Sequence, residues 1–325
     1  MDYQWHLPRG FPVPAVPADN PMSAAKVDLG RQLFFDTRLS VTGNYSCATC
    51  HQPARAFTEG RAKSRGATGE PTTNGAMALV NIAYNVSFGW NRPDVQSLEA
   101  QMLEPMLNEH PIEMGMKGRE REVSSLLSSD PRYRAAFADA FPSSAGEVRF
   151  DDIVKAIAAF ERTLISGHAP FDRYVFEGQH DALTAEAKRG LSLFYSTRLG
   201  CSGCHSGFNF SGNWRDAQGT TGKTTVASNG TSATPLRVPT LRNIGVTSPY
   251  MHDGRFSTLE AVIDHYQQAG RHADRTSRRE AEPRLRSFEL EGSERSALIA
   301  FLQSLTDPEF IAEFDGERTH SVSGR

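Results

Sequence analysis

Two short motifs, Cys47-Ala48-Thr49-Cys50-His51 and Cys201-Ser202-Gly203-Cys204-His205, account for all 4 cysteines of the 325-residue chain. Each places two thiols one helical turn apart and an imidazole directly behind them. That combination reads as c-type haem attachment: two thioethers to the porphyrin vinyl groups and a histidine ligand to the iron. Two other chemistries use the same residue types. A zinc ribbon sets its cysteine pairs about 15 to 20 residues apart, whereas about 150 residues separate these. A thioredoxin-like redox pair has no use for the trailing histidine, and here it occurs twice.

The elements around the motifs repeat as well. Gly30, Leu33, Phe34, Phe35, Thr37, Arg38 and Leu39 recur as Gly190, Leu193, Phe194, Tyr195, Thr197, Arg198 and Leu199, at a constant offset of 160. Each copy leads into a haem motif. A second pairing joins Ala156-Ile157-Ala158-Ala159-Phe160 and Leu164 to Ala297-Leu298-Ile299-Ala300-Phe301 and Leu305, with the i, i+3, i+4 apolar spacing of a buried helix face. Self-similarity at domain length means duplication, since solenoid periods are about 20 to 50 residues. The expected fold is all-α: two cytochrome c-like haem domains related by duplication, each opened by an amphipathic helix and closed by a helix packed back on it. The expected boundaries are a proline-rich arm over 1–19, a first domain over 20–166, a linker over 167–183, a second domain over 184–310 and a tail over 311–325.

Within that frame, Pro8, Pro12, Pro14 and Pro17 predict an extended surface arm. Asn20-Pro21 suits an N-cap and first helical position. The Gly/Ser/Thr-rich stretch from Ser211 to Pro235 reads as a long surface loop, with Trp214 packing locally. Arg271, Arg275, Arg278, Arg279, Arg284 and Arg286 read as a solvated basic face. The helical pattern ends after Pro308, and Thr319 to Arg325 read as disordered. A net charge of -3 offers no basic field for nucleic acid, and no apolar run approaches the roughly 18 residues of a membrane span. The first residues lack the apolar core of a secretory signal, yet c-type haem is attached outside the bacterial cytoplasm. The expectation is a periplasmic protein whose signal peptide has been removed.

Leu29-Gly30-Arg31-Gln32-Leu33-Phe34-Phe35-Asp36, Arg38-Leu39-Ser40 and Ala56-Phe57-Thr58-Glu59-Gly60 around the first motif resemble the bacterial di-haem cytochrome c peroxidase/MauG superfamily. So do Arg237-Val238-Pro239-Thr240-Leu241-Arg242-Asn243, Pro249-Tyr250-Met251-His252-Asp253-Gly254-Arg255 and Thr258-Leu259-Glu260 after the second. The opening Trp5-x-Leu7-Pro8-x-Gly10-Phe11-Pro12, with Asp19-Asn20-Pro21-Met22, is similar to the MauG-like subgroup of methanobactin operons.

The resemblance implies that His51 and His205 are the proximal iron ligands. No histidine lies between His51 and His110, so the first haem is expected to be open to hydrogen peroxide. Glu113 matches the family's distal glutamate and Gln101 its distal glutamine; O–O cleavage needs a group that takes one proton and returns one. For the second haem, Met251, His252, His265, Tyr266 and His272 are all candidate sixth ligands by residue type. The register from Thr258-Leu259-Glu260 places Tyr266 where MauG has its tyrosine and cytochrome c peroxidases a methionine. A thioether raises the haem potential, whereas a phenolate favours oxidised iron. Trp90 resembles the family's inter-haem tryptophan. Asn74, with the carbonyls of Thr247 and Pro249, resembles its inter-haem calcium site, and oxygen ligation suits that cation.

The implied activity is a peroxide-dependent oxidation through a high-valent bis-Fe(IV)-type state shared by both haems. Its substrate is a residue of a partner protein, a tryptophan taken to kynurenine, on a periplasmic copper-binding partner from the same operon. The alternative is a peroxidase drawing electrons from a small c-type cytochrome. A plain electron carrier is disfavoured by the open first iron.

Overall fold

The structure, a computed structural model, describes residues 3–144, 146–212, 214–222, 225–226, 236–276 and 288–314, with backbone alone at 221–222, 225–226 and 269–276. Within these lie eleven α-helices. They are α1 Ala24–Phe34, α2 Cys47–Cys50, α3 Leu98–Leu107, α4 Glu120–Ser129, α5 Pro131–Ala140 and α6 Phe150–Glu161, followed by α7 Pro170–Phe176, α8 Ala185–Phe194, α9 Leu259–Thr276, α10 Gly292–Gln303 and α11 Pro308–Glu313. Strand is confined to two antiparallel pairs of two-residue strands, β1 Trp214–Arg215 with β2 Thr221–Gly222 and β3 Thr225–Val226 with β4 Leu236–Arg237. β1, β2 and β3 lie in the stretch expected as loop, and β4 directly follows it. Trp214 packs edge-on against Phe208 at 5.4 Å, as expected of a local contact.

Each half is built on one helix crossing. In the first, α1 buries Leu29, Leu33 and Phe34 against Ala156, Ile157 and Phe160 of α6. The crossing is close because position 30 is glycine: a Cβ there would lie 1.9 Å from the Ala156 carbonyl oxygen. In the second half α8 crosses α10, and a Cβ at Gly190 would lie 1.9 Å from the Ala297 carbonyl oxygen. The aromatic rings repeat too, Phe34 on Phe160 at 5.3 Å and Phe194 on Phe301 at 5.1 Å. A further symmetry is not visible in the periodicity. Asn81 and Asn243 are fully buried and left-handed, with φ of 56° and 59°. Asn81 N–H donates to Leu164 O and its side-chain oxygen accepts from Ser166 N–H; Asn243 does the same with Leu305 O and Asp307 N–H. Each asparagine thus ties the chain beyond its haem motif to the exit of the closing helix.

Three local expectations fail, each through a tertiary contact. Ser23, not Asn20, caps α1, accepting from Lys26 N–H at 3.2 Å. Asn20 is buried and donates to Glu99 and to the Lys155 carbonyl. The arm does not stay on the surface: Phe11 is buried against Tyr84 and Phe208, and the Pro12 carbonyl accepts from the Tyr84 hydroxyl at 2.7 Å. Helical structure also continues past Pro308, because Asp307 caps α11 and delivers Phe310 and Phe314 into the first core, onto Phe57. Phe171 of α7, in the expected linker, packs in the second core. Arg278, Arg279, Arg284, Arg286, residues 315–325, and the side chains of Arg271, His272 and Arg275 lie outside the described residues.

Candidate functional site

The first motif opens on Ser46, whose N–H donates to the Thr49 hydroxyl at 3.0 Å, and winds through α2 until His51 N–H reaches Cys47 O at 2.9 Å. The chain then turns back on itself. Ala56 and Phe57 are both left-handed, and Gln52 pairs with Thr58. This brings the Phe57 carbonyl to 2.9 Å from His51 Nδ1. A carbonyl can only accept, so Nδ1 carries the proton and Nε2 keeps its lone pair.

At the second motif His205 N–H reaches Cys201 O at 3.0 Å, and Phe210, left-handed with φ of 46°, presents its carbonyl 3.1 Å from His205 Nδ1. Phe57 and Phe210 are both fully buried, so each histidine is oriented by a residue anchored in its own aromatic core. Burial pushes both imidazoles down in pKa and keeps them neutral, the form that ligates a metal.

These residues fit haem c. None of the four cysteines is in a disulfide, and all are partly exposed. Burial raises the Cys47 thiol, and pushes Cys50 to about 12 and Cys201 to about 11. A redox Cys-x-x-Cys pair shows the reverse, a depressed thiol.

Different groups cover the two motifs. Glu59 and Glu113 stand close enough to Cys50 to add to the upward shift of its thiol. Glu113 is half-buried, and burial, then the Glu104 carboxylate, raises its pKa above the usual range, as a proton donor requires. Its segment is anchored by Met114 N–H donating to Pro105 O at 2.9 Å. Gln101, on α3 one turn before Pro105, is partly buried. Over the second motif α9 carries Tyr266. Burial, then the charges of Cys201 and Cys204, push its phenol up to about 12, and Tyr266 packs on the same core as Cys201. Its neighbour His265 stacks at a tilt on Phe256 at 5.1 Å.

Trp90 is half-buried at the seam of the halves, where its carbonyl accepts from Arg237 N–H at 2.8 Å. Asn74 meets the 247–254 loop, its carboxamide lying 3.1 Å from the His252 carbonyl and 3.2 Å from its neighbour Thr73's. Gly254 of the same loop sits on Ala62 and Pro249.

Two residues were not singled out by sequence reasoning. Glu161 is buried at the end of α6, one carboxylate oxygen without a partner, and burial pushes it up to about 8 although Arg162 opposes the shift. Its charge reaches Cys47. Arg237, seen only as part of a family signature, is also buried with an orphan nitrogen. Nothing local marks either residue, since both are defined by what surrounds them after folding.

The family description that matches residues 24–181 is di-haem cytochrome c peroxidase. The methylamine utilization protein MauG of Methylorubrum extorquens is 36% identical over 297 residues, covering 89% of this chain and 80% of the relative. A cytochrome c551 peroxidase of Nitrosomonas europaea is 33% identical over 263 residues, covering 78% and 76%. A crystal structure of a MauG-like protein associated with microbial copper homeostasis superposes with a TM-score of 0.86 at 33% identity, covering 95% of this chain and 97% of that one. The halves are therefore cytochrome c-like haem domains related by duplication, and the family carries two haems c and uses peroxide as oxidant. The chain belongs to the di-haem cytochrome c peroxidase/MauG family.

Proposed function

We propose that this is a MauG-type enzyme that uses hydrogen peroxide to oxidise a tryptophan of a partner protein to kynurenine. Two haems c supply peroxide activation and storage of the oxidising equivalents. His51 and His205 hold the irons, each with Nε2 presented by the carbonyl behind it. Glu113 moves the proton between the peroxide oxygens, and Gln101 orients the bound peroxide. Tyr266 would hold the second iron and so keep small molecules from it, and Trp90 would link the centres. Asn74 with the Thr247 and Pro249 carbonyls holds calcium where the loops of the two halves meet. Haem c attachment favours a periplasmic protein, and no described helix is long and apolar enough to cross a membrane. The copper-homeostasis setting of the MauG-like neighbour favours a copper-binding protein as the partner.

The observation that carries this reading is Tyr266. Tyr266 stands close enough to Cys201 and Cys204 for their charges to add to the upward shift of its phenol, and a phenolate ligand would suit storing oxidising equivalents better than delivering electrons. The 33% identity to a cytochrome c551 peroxidase keeps a second reading, peroxide reduction with electrons from a small cytochrome. Two measurements separate them. Tyr266→Phe is expected to change the ferric absorption and EPR signals of one haem and leave the other, and peroxide is expected to modify a co-encoded partner by mass only while its target tryptophan is present. Unchanged signals in Tyr266→Phe, or fast turnover of reduced small cytochrome with no modified partner, would support the peroxidase instead.

A further inference from the structure

Two buried guanidinium groups lie five residues apart in the second half and are treated differently. Arg242 is held by both oxygens of Asp172, at 2.7 and 2.8 Å, and by the Phe208 carbonyl. Arg237 is 7% exposed, and among the described residues no carboxylate touches it. Its Nη2 reaches Met77 Sδ at 3.4 Å, its Nε has no partner, and its guanidinium carbon stands 5.9 Å above the Trp90 ring. Burial pushes this group down to about 10, with no anion recorded to oppose the shift. A buried cation without a counter-charge is strongly destabilising, so a protein that keeps one has an anion for it.

The position says which anion. The Met77 carbonyl faces His51 and the Pro239 carbonyl faces His205. Arg237 touches Met77 and the Trp90 ring from the second half, so its guanidinium lies on the seam where the halves meet, beside the residue whose carbonyl faces His51. Haem c carries two propionate carboxylates, and bound at these motifs it would be the source of such an anion.

We infer that Arg237 binds a haem propionate at the seam and, by that pairing, sets the charge seen by Trp90. A guanidinium fork matches a carboxylate with two parallel hydrogen bonds. Unpaired, the cation over the indole opposes removal of an electron from that ring. Paired, guanidinium and propionate together carry no net charge, and the indole can be oxidised in passing. Arg237 is thus a positioning residue that acts through the propionate. The inference rests on two bound haems c, which haem content scores by itself.

The test is Arg237→Gln in the holoprotein. Two covalent haems per chain are expected to remain, by pyridine haemochrome and intact mass. The midpoint of one haem is expected to fall by about tenfold in its reduction equilibrium, roughly 59 mV for a one-electron couple, and to acquire a pH dependence as the released propionate titrates. Separate EPR and visible titrations of the two haems identify which one supplies the carboxylate. Unchanged midpoints, or equal shifts in both haems with no new pH dependence, would overturn the pairing. If Arg237→Gln fails to fold, Arg237→Lys keeps the charge but loses the fork: a displaced propionate bending band in resonance Raman supports the pairing, and an unmoved band overturns it.

Discussion

The two halves hold their histidines alike and cover them differently. On the holding side the correspondence extends to single atoms: a glycine seated on a carbonyl, a left-handed phenylalanine behind the imidazole and a left-handed asparagine at the closing helix. On the covering side nothing corresponds. The first motif faces Glu113 and Glu59 from loops, whereas the second faces the Tyr266 phenol from a long helix. Duplication kept what orients each histidine, and the unrepeated segments give the two motifs different neighbours.

The comparison breaks most sharply at the buried ion pairs. Asp172 and Arg242 are 1% and 0% exposed in the second half; Glu99 and Arg162, in the first, are 17% and 3% exposed. Asp172→Ala should destabilise the protein by about 3–5 kcal/mol, because it strands a buried guanidinium, and Glu99→Ala by less. Urea unfolding of the two variants checks the order. On the covering side, Glu113→Gln should slow the stopped-flow reaction with peroxide by about 10²-fold, roughly 2.7 kcal/mol, as for loss of a general acid/base. Tyr266→Phe should leave that rate alone. A Glu113→Gln rate within a factor of two of the parent removes the carboxyl from the chemistry.

Gly30→Ala and Gly190→Ala probe the shared side. Each forces a methyl onto a backbone carbonyl and should destabilise by about 1–3 kcal/mol, by similar amounts in both halves if the crossings are equivalent. The last effect is a slope, read across pH. Glu161 binds a proton in the folded protein between its ordinary value of 4.5 and about 8, while the unfolded chain has released it. Its contribution therefore favours folding at low pH and is lost as pH rises through that window, at about 1.4 kcal/mol per pH unit. Glu161→Gln should flatten the stability profile there, measured by urea titration across pH; an unchanged profile would show that this carboxyl is ionised in the fold.

The haem motifs and the helix crossings were legible because they are local patterns or carry a period: Cys-x-x-Cys-His, the 160-residue offset and the apolar stripes of α6 and α10. Asn81 and Asn243 repeat just as faithfully in space, but a single buried amide has no period, and its meaning lies in Ser166 and Asp307, which are remote in sequence. Asn20-Pro21 had the residues of a helix start and was drawn off by Glu99 and Lys155. Asp307-Pro308, an acidic counterpart of that dipeptide, is a helix start. The two dipeptides differ in what surrounds them, which no window of sequence contains. Arg237 and Glu161 escaped for the same reason, since an orphan nitrogen and an unpaired carboxyl oxygen appear only after packing.

One feature bears on the order in which the molecule is made. Phe310 and Phe314 complete the aromatic cluster around Phe57, the residue that orients His51. As the chain emerges from its amino end, the first core waits for its last two rings until α11 arrives, after the second haem motif has already passed. Domains generally fold as units in the order they are made, but this one is closed from the far end of the chain. The core that carries the Cys47–His51 motif is thus completed only when α11 docks.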